Sequence, residues 1–288
     1  STSHDSAGGG RERIGPVCAI VKDSPRVQSN SPAPPIPTTP ERMSSVPAVE
    51  PNVRLVQHTK RPDEVIASAA RLCYADSTDG LLEASPGEAA ALVRRLNAVG
   101  HHSPLEHASF TFYLEGVSRV LTHQLVRHRI ASYSQRSQRY VAHDQFDYII
   151  PPQLEGRTVT VDGREVDAVE YFAETMGIIA KRYAALNDAL GRTGERSNED
   201  ARYVLPNACE TKIFVTMNAR ELLHFFAERL CQRAQWEIRR VAEMMLEQAR
   251  PVAPAAFQDA GPKCIRLGHC PEGKMTCGRY AEMKQRYG

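Results

Sequence analysis

The sequence predicts an α+β fold, with strands and long helices mixed along one stretch of chain. Three observations carry that reading. Residues 108 to 114 alternate, with Ala108, Phe110, Phe112 and Leu114 on one face and Ser109, Thr111 and Tyr113 on the other, as a half-buried strand does. Ser85, Pro86 and Glu88 form an N-cap, a first-turn proline and a capping box, and Gly100 supplies the matching stop. Finally, Val169, Phe172, Met176, Ile179, Tyr183, Leu186 and Leu190 recur at near-heptad spacing after Asp167, which marks a long helix packed on a core or on another subunit.

The remaining elements follow in order. Residues 1–50 lack either periodicity and are rich in Ser, Pro and Gly, so they are expected to form a disordered tail. Val53 and Leu55 open a short strand, and Pro62-Asp63 open a helix whose stripe is Val65, Ile66, Ala69, Leu72 and Cys73, with Cys73 read as buried packing. Leu92, Leu96 and Val99 form the stripe of the capped helix, and Ser118 to Val126 reads as a short helix. Asp144 to Pro152 is strand-like, the stretch through Gly163 is a hairpin or exposed loop, and Ser197 caps a short helix carrying Arg202. Ile213, Val215 and Met217 mark another strand, running into one helix from Asn218 to about Arg250, with Pro251 as its stop. The expected organisation is a tail at 1–50, a folded domain at 51–260 and a cysteine-containing extension at 261–288.

Composition narrows the function. With 36 Lys and Arg against 34 Asp and Glu, the net charge is +2, which does not describe a general nucleic-acid binder. No run of about 18 apolar residues predicts a membrane span, and no secretory leader is visible, so a cytoplasmic protein with mostly reduced cysteines is expected. The charge is instead local. Residues 127 to 140, Arg-His-Arg-Ile-Ala-Ser-Tyr-Ser-Gln-Arg-Ser-Gln-Arg-Tyr, hold four arginines, a histidine and three serines but only two aliphatic side chains. Arginine forks and serine hydroxyls suit phosphates and carboxylates, so this stretch reads either as an anion site or as a solvated basic loop.

Two further clusters carry ligand-type residues. His101, His102, Glu106 and His107 crowd around Pro104, whose ring excludes the helical spacing of a metalloprotease. Cys264, His269, Cys270 and Cys277 are suitable zinc ligands, but C-x5-C-x6-C is not a standard knuckle spacing, so the expectation is reduced cysteines and no metal in the site. Interleaved arginines and tyrosines also leave a nucleic-acid module as an alternative class.

Four of these segments together resemble the flavin-dependent thymidylate synthases, the ThyX family. They are Arg127-His128-Arg129 followed by Ser137 and Arg139-Tyr140; Gly100-His101 through Glu106-His107; Ala201-Arg202 through Pro206; and Asn218, Arg220 and His224, followed by Arg229 and Ala234 to Ile238. The resemblance spans roughly residues 53 to 250. It implies a homotetrameric ThyX-like fold with an antiparallel sheet flanked by long helices, and active sites shared between subunits. It further implies conversion of dUMP to dTMP with FAD as cofactor, and NADPH and 5,10-methylenetetrahydrofolate as co-substrates, with no nucleic-acid or membrane partner. By the same resemblance the FAD site comprises His101, Ser103, Glu106, Arg127, His128, Arg129, Ile130, Asn218, Arg220 and His224. The dUMP site comprises Gln124, Arg127, Gln135, Ser137, Gln138, Arg139, Arg202 and Arg229, with Arg127, Arg139 and Arg229 as the catalytic residues. Trp236 and Ile238 read as packing. Some relatives carry a flavin-touching histidine in place of Arg233.

Overall fold

The computed structural model describes residues 46–77 and 79–288; most of the tail expected at 1–50 lies outside the described residues. Its centre is an antiparallel sheet of four strands: β1 (Asn52–His58), β2 (Ser109–Ser118), β3 (Ala131–Gln135) and β6 (Glu210–Asn218), in the spatial order β1-β2-β6-β3. Phe110, Phe112 and Leu114 of β2 and Ile213, Val215 and Met217 of β6 point to one face and are almost completely buried. Helices α1 (Pro62–Leu72), α2 (Pro86–Val99), α6 (Ala219–Arg229) and α7 (Trp236–Val252) supply the rest of that core, including Ile66, Val93, Phe225, Phe226 and Met245. The other face carries Thr111 hydrogen-bonded to Thr216 at 2.9 Å and Tyr113 tilted against Phe214, which is 44% exposed. One packed and one open face is the usual arrangement of an antiparallel sheet.

Between strands β2 and β3 lies α3 (Arg119–Leu125), capped by Ser118. Glu237 at the start of α7 accepts hydrogen bonds from Ser118 N at 2.7 Å and Ser118 Oγ at 2.6 Å, so the buried carboxylate ties α7 to the entry of α3. A second layer comprises the hairpin β4 (Thr158–Val161) and β5 (Arg164–Asp167), α4 (Ala168–Ala189) and α5 (Glu195–Ala201). It surrounds a smaller core of Val46, Phe146, Tyr148, Met176, Ala180 and Cys209. The chain ends in α8 (Lys263–Leu267) and α9 (Tyr280–Tyr287), and Met283 and Tyr287 of α9 are buried in the main core.

Several expectations are corrected. The helix from Asn218 to Arg250 is two helices, because the chain leaves the helical path at Leu230 and restarts at Gln235, whose side chain accepts from Ile238 N. The carbonyls of Gln232 and Ala234 freed in this break are met by the Arg239 guanidinium, and Pro251 lies within the last turn of α7 rather than ending it. Asp144 to Pro152 is not a strand: Tyr148 makes single bridges to Ala48 and Cys209, and prolines at 151 and 152 withhold two amide donors. Gly194, not Ser197, caps α5, since Ser197 is buried and donates to the Gly194 carbonyl. Stripes are rotated as well: α1 buries Ile66, Ala67 and Ala70 and leaves Leu72 and Cys73 exposed, while α4 buries Met176, Ala180, Tyr183 and Asn187 and leaves Leu186 and Leu190 out.

The register of β2 against β6 slips between Leu114 and Val117, and Gly116 sits in that bulge with φ +65°. A Cβ there would fall 2.0 Å from the Glu50 carbonyl oxygen, a backbone atom that has no room to move. Gly116→Ala is therefore expected to cost about 3–4 kcal/mol, from the left-handed conformation and the steric overlap together. Chemical denaturation of the variant, read against the parent chain, checks this.

Candidate functional site

The arginine-rich motif is built around a buried imidazole. After α3 ends at Leu125, the Tyr133 hydroxyl shares its one proton between the carbonyls of Leu125 at 2.8 Å and His128 at 2.7 Å, which folds the turn back onto the sheet. His128 is 6% exposed. Its Nε2 accepts from Arg229 Nε at 3.1 Å, and its Nδ1 lies 3.3 Å from Glu221 Oε1, so the ring carries its proton on Nδ1. Burial, then the Arg229 guanidinium and His224, pull the imidazole down to about 4, and the ring is neutral at physiological pH. Burial also raises the Glu221 carboxyl. His128, Glu221 and His224 are the one set of metal-type donors among the described residues within 4.8 Å of one another. Arg229 already occupies His128 Nε2 with a permanent charge, which makes this a poor cation site.

Beside this relay lies a cavity of about 870 Å³. Glu106 reaches it from a 3-10 turn (Ser103–His107), Ile130 from the motif, Asn218 from the end of β6, and Arg220 and His224 from α6. These five come from the FAD set expected from sequence, and Arg220 is ion-paired with Glu106. Asn218 caps α6 by accepting from Glu221 N at 2.8 Å. Other lining residues lie outside the expected FAD set: His102, noted in sequence only as one of a ligand-type cluster, and Asn97, Lys263 and Arg266, which sequence reasoning passed over. His102 has its pKa lowered by burial and then by Arg266 and Arg220, and Asn97 Oδ1 is buried with no partner among the described residues. His101 faces a different depression, lined with Arg71, Tyr74 and Arg95, and Ser103, Arg127 and Arg129 are exposed on the surface.

At the far end of β3 stand Gln135, Ser137, Gln138, Arg139 and Arg202 of the expected nucleotide set, whereas Arg127 precedes the strand and Arg229 sits on α6 against His128, at the cavity end. Arg139 holds Glu199 Oε2 through Nε and Glu195 Oε1 through Nη2, both at 2.7 Å, leaving Nη1 to meet a ligand. The Ser137 oxygen accepts from Arg139 N at 3.1 Å and Tyr140 N at 3.4 Å, so its O–H is free to donate. Gln135 is held in the sheet by Thr122 and Thr211, Gln138 contacts Cys209 Sγ, and Gln124 turns back to the Val120 carbonyl. Arg202 donates to the Glu199 carbonyl. Arg119, which sequence reasoning missed, is half-buried, loses proton affinity to burial and then to Arg202, and has a buried Nε with no partner among the described residues. Two neighbouring guanidiniums with an unused donor have the chemistry to take an anion.

A family model described as "Thymidylate synthase complementing protein" matches residues 54–255. The chain belongs to that family. A flavin-dependent thymidylate synthase of Nitratidesulfovibrio vulgaris is 51% identical over 243 residues, covering 82% of this chain and 97% of the relative. One of Geobacter sulfurreducens is 52% identical, covering 81% and 96%, and one of Pyrococcus abyssi is 42% identical, covering 82% and 96%. Among solved structures, the UMP/dUMP methylase PolB of Streptomyces cacaoi, bound with 5-Br dUMP, superposes with a TM-score of 0.61 at 26% identity, covering 74% of this chain and 97% of that one.

The neutral His128 makes a pH prediction. Its folded-state pKa of about 4 lies below the ordinary 6.5, so as pH falls the unfolded chain takes this proton first. The stability it contributes is complete above about 6.5 and is lost between 6.5 and 4, up to roughly 3 kcal/mol. Glu221, with its carboxyl raised, works in the opposite sense. His128→Gln is expected to flatten the fall in unfolding temperature between pH 7 and 4.5; thermal melts of both chains across that range check it.

Proposed function

We propose that the chain converts dUMP to dTMP, with 5,10-methylenetetrahydrofolate as carbon donor and FAD, reduced by NADPH, as hydride source. The observation that carries this reading is the convergence of Glu106, Ile130, Asn218, Arg220 and His224, from four separate elements, on one cavity. The cavity fits FAD: about 870 Å³ is at the large end for ligand pockets, Ile130, Leu223, Ala256 and Ile265 give it an apolar wall, and Arg220, Lys263 and Arg266 supply cations for phosphates. Bound flavin supplies the hydride that completes the new methyl group.

The chain's own residues bind, orient and balance charge. Arg139, Arg119 and Arg202 would hold the nucleotide phosphate, with Ser137 donating its hydroxyl. Arg127 and Arg139 would steady negative charge developing on the uracil carbonyls. Arg229 acts from its place on His128, which keeps its guanidinium fixed. A protein nucleophile is not needed: Cys209, the cysteine beside Gln138 and Arg119, is fully buried and its thiol is pushed up to about 11 by burial, so it stays protonated.

The length of β3 supports an assembly of several copies. Five strand residues separate Ile130 at the cavity from Arg136 and, beyond it, Arg139, six steps or roughly 20 Å at the usual rise. Hydride transfer needs contact, so the flavin half of one copy would meet the nucleotide half of another, and the open face with Tyr113 and Phe214 is where copies would pack. A homotetramer in the cytoplasm satisfies this, and no helix among the described residues is long and apolar enough to cross a membrane. The domain is proposed to run over residues 51–260, with the tail before it and the extension after it. The near-neutral charge favours this enzyme over a nucleic-acid module.

The purified chain should be yellow, bleach anaerobically with NADPH, and bleach faster with dUMP present; a chain that takes up no FAD refutes the reading. Arg139→Ala should weaken dUMP binding at least about tenfold with flavin retained, as loss of a charge-assisted bond requires. Cys209→Ala should keep dTMP formation within about threefold, since a thiol outside the chemistry costs only packing; loss of turnover in a folded variant would point to a cysteine route.

A further inference from the structure

We infer that Cys231, Cys264, Cys270 and Cys277 form a site for one zinc ion, which pins the C-terminal segment to the break between α6 and α7. The sequence shows three of these cysteines in the tail and offers His269 as the fourth ligand. The structure changes the set. His269 is exposed, with Nδ1 turned onto the Leu267 carbonyl at 2.9 Å. Cys231, far away in sequence, is brought instead to a pocket of about 220 Å³ that all four cysteines line.

All four are free and half-buried. No three of the sulfurs lie within 4.8 Å of one another, so binding requires the cysteine side chains to turn inward to tetrahedral zinc–sulfur distances of about 2.3 Å. The surroundings suit a thiolate cluster of net negative charge. Lys263 and Arg233 line the pocket, each held by a carboxylate, Glu228 and Glu272, at 2.7 Å. Arg279, whose cation is favoured by Glu282 and by Cys277, also donates to Gln232 in the break at 3.0 Å. Binding would release thiol protons and add to the stability of the fold.

The test uses the full chain, grown with zinc and dialysed against metal-free buffer, with zinc counted by atomic emission. The expected result is about one zinc per chain, unchanged in His269→Ala and below about a tenth of that in Cys231→Ser and in Cys277→Ser. Should a serine variant fail to fold, alkylation of the native parent chain decides: four thiols resist iodoacetamide until a chelator strips the metal, and zinc restores the protection. A parent chain without zinc that also fails to bind added zinc overturns the proposal. So does zinc that survives Cys231→Ser but not His269→Ala, or iron and sulfide in place of zinc.

Discussion

A neutral imidazole clamped between an arginine and a glutamate holds the functional part of this molecule in place. His128 lies at the turn between α3 and β3, and Arg229 and Glu221 reach it from α6. Because the ring is buried and its Nε2 is occupied by a guanidinium, it stays unprotonated, and the guanidinium in turn has one orientation. The backbone on either side of it is then determined: Arg127 and Arg129 project into solvent, Ile130 enters the cavity, and β3 begins its pairing with β6.

Much of this was legible from sequence, and the reasons are local. The cap of α2, with Ser85, Glu88 and Gly100, is a short-range hydrogen-bond pattern and forms as read. Alternation over residues 108 to 114 fixes which side of β2 is buried, and Ala108, Phe110, Phe112 and Leu114 are all fully buried. What escaped depends on contacts between distant segments. The break after Leu230 rests on Arg239 and Gln235 satisfying freed backbone groups, which a continuous apolar stripe conceals. Leu186 and Leu190 fit a helical stripe yet face out, because the smaller core ends at Ala180. The motif reads as an anion site or a solvated basic loop, and its middle is an edge strand whose alternate residues are half-buried.

The same division applies to the candidate site. The family resemblance marked Glu106, Asn218, Arg220 and His224, and they line one cavity. Asn97, Arg119 and Glu221 carry no signal in sequence, being single polar residues within ordinary helices or at a helix start. Their roles come from burial and unspent hydrogen bonds in the folded chain. Cys231 is the clearest case: on the sequence it is one cysteine in a long helix, and in the fold it meets the tail.

The central claim is that the flavin half and the nucleotide half of a working site come from different copies of the chain. Mixing two inactive variants under subunit exchange, Arg139→Ala with Arg220→Ala, tests it most directly. A shared site predicts that activity returns in the mixture, to about a quarter of the parent level at equal proportions, because random assortment rebuilds intact pairings. A mixture that stays as inactive as its components, after exchange is verified by mass, would show that both halves must lie on one chain and would contradict the account.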